Sequence, residues 1–90
     1  MLEERVQLKE TTGLQERAAA NFVNHANRFQ SDIYVEKDQI IYNGKSIMSI
    51  LHMNAGQGEE LILKTEGPDE NEAMKDLVHY LKKEINDYSH

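Results

Sequence analysis

Ser46 is the residue of this chain whose chemistry and position together suggest a switch. It directly precedes an apolar stretch that begins with Ile47, so the sequence predicts a short helix with Ser46 as its N-cap. Phosphorylation would add about −1.5 to −2 charges at the positive end of that helix, where first-turn amides could bind the phosphate. A purely structural cap is the alternative, and the local sequence taken alone favours it.

The apolar side chains after the serine are the second candidate feature. They are Ile47, Met48, Ile50, Leu51 and Met53. So short a helix cannot bury all of them, and we expect some to stay exposed. A methionine-containing exposed patch beside a phosphorylatable serine suits docking of a partner protein. Packing of most of these side chains over the sheet is the other interpretation, and the local pattern leaves both open.

Other residue types that carry chemistry show no catalytic or metal-binding pattern. The histidines are His25, His52, His79 and His90. They lack the spacing of a helical zinc site, and we expect His25 and His79 on the surface or boundary of helices. The chain has no cysteine, which excludes thiolate ligands and a cysteine nucleophile. The sequence therefore predicts no enzyme, no catalytic residue, no metal site and no cofactor.

The composition is that of a small globular protein. Ninety residues, 39% hydrophobic and 29% charged, predict a single domain over residues 1–90. The net charge of −6 disfavours direct binding to nucleic acid or to an anionic membrane. The longest apolar run is too short for a membrane span, and the N-terminus does not resemble a signal peptide. We expect a cytoplasmic protein, either a monomer or a homodimer.

Apolar periodicity predicts the elements that position these residues. Alternation over residues 2–9 indicates a strand, and spacings of three and four over residues 16–28 indicate an amphipathic helix. The β-prone runs 33–35 and 40–42, with a turn at 37–39, indicate a hairpin. A fourth strand follows at 61–63. The last helix begins at Asp69, which with Glu72 has the spacing of a variant capping box.

The resulting order is β-α-β-β-α-β-α. It predicts an α+β fold, an open-faced β-sandwich in which three helices cover one face of a four-stranded antiparallel sheet.

Two segments resemble the HPr family, the histidine phosphocarriers of the sugar phosphotransferase system. Residues 13–19 read GLQERAA and are similar to the family's active-site pattern G-[IL]-H-A-R-P-A. Residues 43–48 read NGKSIM and are similar to the regulatory-serine segment of Gram-positive members, in which K-S-I-M is typical. The likeness runs nearly end to end, and the element order of the family agrees with the one derived above.

Gln15 occupies the position of the phosphocarrier histidine. A carboxamide nitrogen lacks the nucleophilic lone pair of an imidazole, so Gln15 cannot carry a phosphoryl group. The same replacement is typical of the Crh-like, catabolite-repression branch of the family. The resemblance implies that an HPr kinase/phosphorylase phosphorylates Ser46 and that the product is a corepressor of a LacI-type catabolite control regulator. It further implies that Arg17 lies beside the phosphoserine region and that the apolar docking surface consists of Ile47, Met48 and Leu51.

Three replacements distinguish the chain from that branch. Glu16 stands where alanine is usual and could neutralise the positive field of Arg17, Ala18 replaces proline, and Ser49 replaces glycine. They support an alternative function, an HPr-fold protein-binding module that regulates another target independently of Ser46 phosphorylation.

Residues 11–13, Thr-Thr-Gly, also form a short hinge that could let the first strand exchange between two protomers.

Overall fold

A computed structural model describes residues 1–8, 14–56 and 58–84. The strands are β1 (Leu2–Gln7), β2 (Asp32–Lys37), β3 (Ile40–Asn43) and β4 (Glu60–Glu66). The helices are α1 (Glu16–Ala26), α2 (Ile47–Met53) and α3 (Glu70–His79), and a π-helical turn (Tyr80–Glu84) extends α3. The element order is the predicted one. The hinge proposed at residues 11–13 and His90 lie outside the described residues.

The four strands form one antiparallel sheet in the order β1-β4-β2-β3. Side chains alternate along β4, so that Leu61 and Leu63 are buried while Lys64 faces the other side. The buried side chains of all three helices join those of the strands in one core. On the opposite face the ammonium of Lys64 lies 2.8 Å from the Glu36 carboxylate. The predicted open-faced α+β sandwich is confirmed.

The hairpin between β2 and β3 determines which way two exposed isoleucines point. Asp38 and Gln39 connect the strands, and both have positive φ angles, 53° and 69°, as a two-residue type I′ turn requires. Lys37 pairs with Ile40. Because paired residues share a face, Ile40 lies on the helix-covered side of the sheet and the next residue, Ile41, lies on the open side. The predicted hairpin is thus confirmed, with its turn limited to two residues.

Helix α1 packs against α3 through polar contacts as well as apolar ones. The Nδ1 atom of His25 lies 2.8 Å from a carboxylate oxygen of Asp76, and the imidazole stacks obliquely near the ring of Tyr80, 4.9 Å between centroids. The buried Tyr80 hydroxyl donates to the carbonyl of Ala18 over 2.9 Å. His79 is exposed. Both histidines therefore have the boundary or surface positions expected of them.

Helix α1 ends two residues earlier than its periodicity predicts. Asn27 stops it, because its Nδ2 atom donates both to the carbonyl of Val23, over 2.9 Å, and to that of Lys45, over 3.2 Å. The second bond ties the end of α1 to the loop before Ser46, a distant contact that periodicity cannot register.

The capping box predicted at Asp69 and Glu72 is wrong. Asp69 occupies the N-cap position of α3, but its side chain makes no capping bond. Its carboxylate instead accepts hydrogen bonds from the amides of Gln30, at 3.0 Å, and Ser31, at 2.9 Å, and from the Ser31 hydroxyl. The carboxylate that bonds back at this helix start is that of Glu70, which accepts from the Gly67 amide over 3.0 Å.

Replacing Asp69 with alanine should lower the melting temperature by about 5–10 °C, because two amides and the buried Ser31 hydroxyl lose their acceptor. Thermal unfolding followed by circular dichroism measures the change. Asp32→Ala removes an exposed carboxylate from the neighbouring strand and should shift the melting temperature by less than about 2 °C. Equal melting temperatures for the two variants would refute this role of Asp69.

The same carboxylate makes stability depend on pH. The hydrogen bond from Ser31, followed by that from Gln30, lowers the pKa of Asp69. Bonds from the amides of Gly56 and Gly67 likewise lower the pKa of Glu59 and of Glu70. A lowered folded-state pKa means that the stabilisation is fully present above the unfolded-state pKa of about 4 and is lost as the pH falls through the folded-state value. As the pH is lowered below about 4, the melting temperature of the wild type should therefore decrease. The decrease should be less steep in Asp69→Ala, which lacks this carboxylate.

Candidate functional site

Ser46 lies at the end of a tight connection between β3 and α2. The amide of Gly44 donates to the carbonyl of Ile33 over 2.7 Å, and a Cβ atom at position 44 would lie 2.6 Å from the Ile33 Cγ2 atom. Only glycine fits this approach, so the chain turns there and presents Ser46 to the first turn of α2. The Ser46 hydroxyl accepts a hydrogen bond from the Ser49 amide over 3.3 Å. The Ser46 carbonyl accepts one from the Ile50 amide over 3.1 Å. The predicted N-cap is confirmed.

The loop before Ser46 is held against the end of α1. The ammonium of Lys45 donates to the carbonyl of Phe29 over 2.6 Å, and the Lys45 carbonyl accepts from Asn27. The lysine adjacent to Ser46 therefore ties this loop to the residues that follow α1, and its charge is directed towards the Phe29 carbonyl.

The apolar side chains of α2 are divided between the core and the exterior. Ile50 and Met53 are buried. Ile47, Met48 and Leu51 are 37%, 69% and 41% exposed, and we call these three residues the α2 surface. The expectation that some apolar side chains stay exposed is confirmed. The helix can bury only one stripe against the sheet and α1, since its seven residues make two turns.

Gln15 lies at the other end of α2. It occupies the N-cap position of α1 in an extended conformation, but its side chain does not cap that helix. Its Nε2 atom donates instead to the Oδ1 atom of Asn54 over 2.9 Å. The backbones meet alongside, where the Leu14 amide donates to the carbonyl of Ala55 over 2.9 Å. Gln15 thus joins the start of α1 to the end of α2.

Two residues that organise this end of α2 escaped the sequence analysis. Asn54 is the C-cap of α2 and has a left-handed conformation, with φ 50°. The ammonium of Lys37 donates to the carbonyls of Met53 and Asn54 over 3.0 and 3.3 Å, and lies 3.2 Å from the Glu59 carboxylate. An asparagine after an apolar helix is a recognised C-cap signal, so Asn54 could have been found. The contact from Lys37 depends on the hairpin and had no local signal.

The contacts at both ends show that α1 and α2 run in opposite directions. The start of α1 contacts Asn54, and its end contacts Lys45. Arg17 is exposed in the first turn of α1. Its backbone therefore lies towards the end of α2 that is remote from Ser46, about 10 Å along a seven-residue helix. The backbone thus does not place Arg17 beside Ser46, although the resemblance implies that arrangement.

The first turn of α1 also holds an unusual backbone conformation. Glu16 has a φ of 48°, in the left-handed region that residues with a Cβ atom adopt rarely. Its side chain is exposed.

Within the described residues no cluster of histidines and carboxylates could hold a metal ion. None of the described helices is long and apolar enough to cross a membrane.

Comparison with known proteins places these features in a family. The family model described as the PTS HPr component phosphorylation site matches residues 2–83. The HPr-like protein Crh of Halalkalibacterium halodurans is 49% identical over 84 residues, which cover 93% of this chain and 100% of that protein.

Solved structures agree with the sequence comparison. The crystal structure of HPr-C-His from Thermoanaerobacter tengcongensis matches with a TM-score of 0.90 and 43% identity, and covers 96% of this chain and 97% of that one. The crystal structure of Crh from Bacillus subtilis, a dimer with a swapped domain, matches with a TM-score of 0.75 and 42% identity over 94% of this chain and 98% of that one. Similarity of this extent in both sequence and fold shows that this chain belongs to the HPr family and is similar to its Crh proteins.

Proposed function

We propose that this chain is a non-catalytic regulatory protein of carbon catabolite repression that is switched by phosphorylation of Ser46. An HPr kinase/phosphorylase phosphorylates Ser46, and the phosphorylated form acts as corepressor of a LacI-type catabolite control regulator. The observation that carries the proposal is the position of the Ser46 hydroxyl, at the N-cap of α2 and next to the exposed α2 surface, in a chain with glutamine at position 15.

The position of Ser46 suits a phosphate switch. Its side chain is half-buried and already faces the Ser49 amide. A phosphate on the same oxygen would add negative charge at the positive end of α2 without requiring the helix to move. Phosphorylation would therefore place a dianion at one end of the α2 surface and leave the apolar side chains in place.

The residue at position 15 supports a further part of the proposal, which is that the chain is not a phosphocarrier. The carboxamide nitrogen of Gln15 has no nucleophilic lone pair, and it is hydrogen-bonded to Asn54. Transfer of labelled phosphate from phosphorylated Enzyme I to this protein would contradict this part of the proposal.

The proposed contact with the regulator uses the α2 surface, which is Ile47, Met48 and Leu51, with Arg17 at its far end. The regulator would contribute an apolar surface and a cation for the phosphate, because buried phosphate requires charge-assisted partners.

A cytoplasmic location follows from the same proposal, since the kinase and the transcriptional regulator act there.

A second function is favoured by one observation. The α2 surface is exposed in the unphosphorylated protein. A partner could therefore dock on it constitutively, and the chain would then be an HPr-fold binding module that acts independently of Ser46.

Self-association is a further part of the proposal. The Crh structure of Bacillus subtilis is a dimer with a swapped domain, and we propose a homodimer that forms by exchange of β1. Size-exclusion chromatography with light scattering should then show both monomer and dimer, the dimer increasing with protein concentration. A monomer alone over a hundred-fold concentration range would argue against this dimer.

The central experiment is incubation of the protein with HPr kinase/phosphorylase and ATP, followed by mass spectrometry of the peptides. We expect one phosphate, on Ser46. Ser49→Ala retains the Ser46 hydroxyl and is the matched control, which should be modified at the same position. Absence of phosphate on Ser46 would exclude the proposed switch.

A further inference from the structure

Strand β3 carries two adjacent isoleucines that the proposed function does not use. Ile40 and Ile41 are 55% and 56% exposed, an unusual degree for large aliphatic side chains next to each other on a strand. The pairing of Ile40 with Lys37 places Ile40 on the helix-covered side of the sheet, and Ile41 faces the opposite side. The two residues match in type and exposure but present their side chains to different surfaces.

Ile40 lies at the end of α2 that is remote from Ser46. Its cross-strand partner Lys37 extends its ammonium to the carbonyls of Met53 and Asn54, which terminate α2. At the other end, β3 leads through residues 44–45 directly to Ser46, whose amide donates to the carbonyl of Asn43 over 3.2 Å. Strand β3 and helix α2 therefore lie side by side in opposite directions. The end of α2 that is remote from Ser46 therefore lies beside Ile40.

This part of the chain is almost free of charge. Residues 39–56 contain one lysine and no other Asp, Glu, Lys or Arg, whereas the whole chain has 10 basic and 16 acidic residues among 90. The ammonium of that lysine, Lys45, is bonded to the carbonyl of Phe29. Depletion of charge, with methionine and aromatic residues present, characterises the centre of a protein–protein interface. A nucleic acid or an anionic membrane would require a cluster of cations. The ammonium of Lys37, at the hairpin end of this surface, is instead bonded to the carbonyls that end α2 and lies 3.2 Å from the Glu59 carboxylate.

We propose that Ile40 extends the α2 surface, so that one continuous docking surface runs from Ser46 through Ile47, Met48 and Leu51 to the β2–β3 hairpin. Its occupant is the protein that binds the Ser46-phosphorylated form, and the inference therefore rests on the proposed function. That protein must present a cation for the phosphate and an uncharged apolar ridge that continues about 10 Å beyond it, the length of a seven-residue helix. Ile40 is then a residue that determines which partner fits, because it contacts only a ridge of this length.

The test compares Ile40→Lys with Ile41→Lys, two substitutions of the same kind at neighbouring, equally exposed positions. Both variants and Met48→Lys are phosphorylated on Ser46, purified as phosphoproteins, and titrated by calorimetry against the purified LacI-type catabolite control regulator of Bacillus subtilis. An edge strand tolerates lysine, and circular dichroism verifies that each variant is folded. We expect Ile40→Lys to raise Kd by about ten-fold or more and Ile41→Lys to change it by less than about two-fold.

The outcomes separate this inference from the proposed function. Loss of binding in Met48→Lys with unchanged binding in Ile40→Lys would overturn the extension to the hairpin and leave the α2 surface intact. Equal weakening by Ile40→Lys and Ile41→Lys would also overturn it, because the two side chains lie on opposite faces. Failure of the phosphorylated wild type to bind the regulator would overturn both the proposed reader and the inference.

Discussion

After treatment with HPr kinase/phosphorylase and ATP, the Ser46→Asn variant is expected to bind the regulator at least about a hundred-fold more weakly than the phosphorylated wild type. Asparagine is as good an N-cap as serine, so α2 should keep its start and its exposed side chains. It cannot be phosphorylated, and the complex loses the phosphate with its charge-assisted hydrogen bonds. One to three such bonds are worth about 1.5–3 kcal/mol each, enough for an effect of this size.

Fluorescence anisotropy of the labelled regulator measures this difference. Unphosphorylated wild type is the matched control and should bind as weakly as Ser46→Asn, since both have an intact cap and no phosphate. Tight and equal binding of all three forms would contradict the switch. It would favour the constitutive binding module, for which the exposed α2 surface alone is sufficient.

Gly67→Ala is expected to destabilise the fold by about 3 kcal/mol or more. Gly67 has a φ of 149°, a conformation that side chains with a Cβ atom rarely adopt. A Cβ atom there would also lie 2.7 Å from the Cα atom of Ser31, which belongs to the backbone and cannot rotate away. The strand and loop would have to separate, and the hydrogen bonds between Ser31 and Asp69 would be lost with them.

Urea unfolding of Gly67→Ala and of Gly56→Ala provides the comparison. Gly56 has an ordinary φ angle, and an added Cβ atom would only touch the flexible end of Glu59 at 3.4 Å. The Gly56 variant should therefore lie within about 1 kcal/mol of the wild type in free energy of unfolding. A Gly67 variant as stable as the Gly56 variant would show that the loop can relax, contrary to the close contact with Ser31.

The sequence determined those features whose causes lie within a few residues of each other. The element order follows from apolar periods of two and three to four, and the Ser46 cap follows from a serine placed directly before an apolar helix. The prediction that the chain is not a phosphocarrier rests on the Gln15 side chain itself. Membership of the HPr family was already indicated by two short motifs, because their residue types at that spacing are specific to the family.

The tertiary structure decided the features that join distant parts of the chain. Asp69 fits a capping box in the sequence, but residues 30–31 approach it and their amides donate to its carboxylate. Gln15 contacts Asn54, 39 residues away. The packing of α1, α2 and the hairpin decides which apolar residues of α2 stay exposed. The same packing places Ile40 beside the end of that helix. Such contacts form between surfaces that meet only after the chain has folded, so neither periodicity nor a motif contains them.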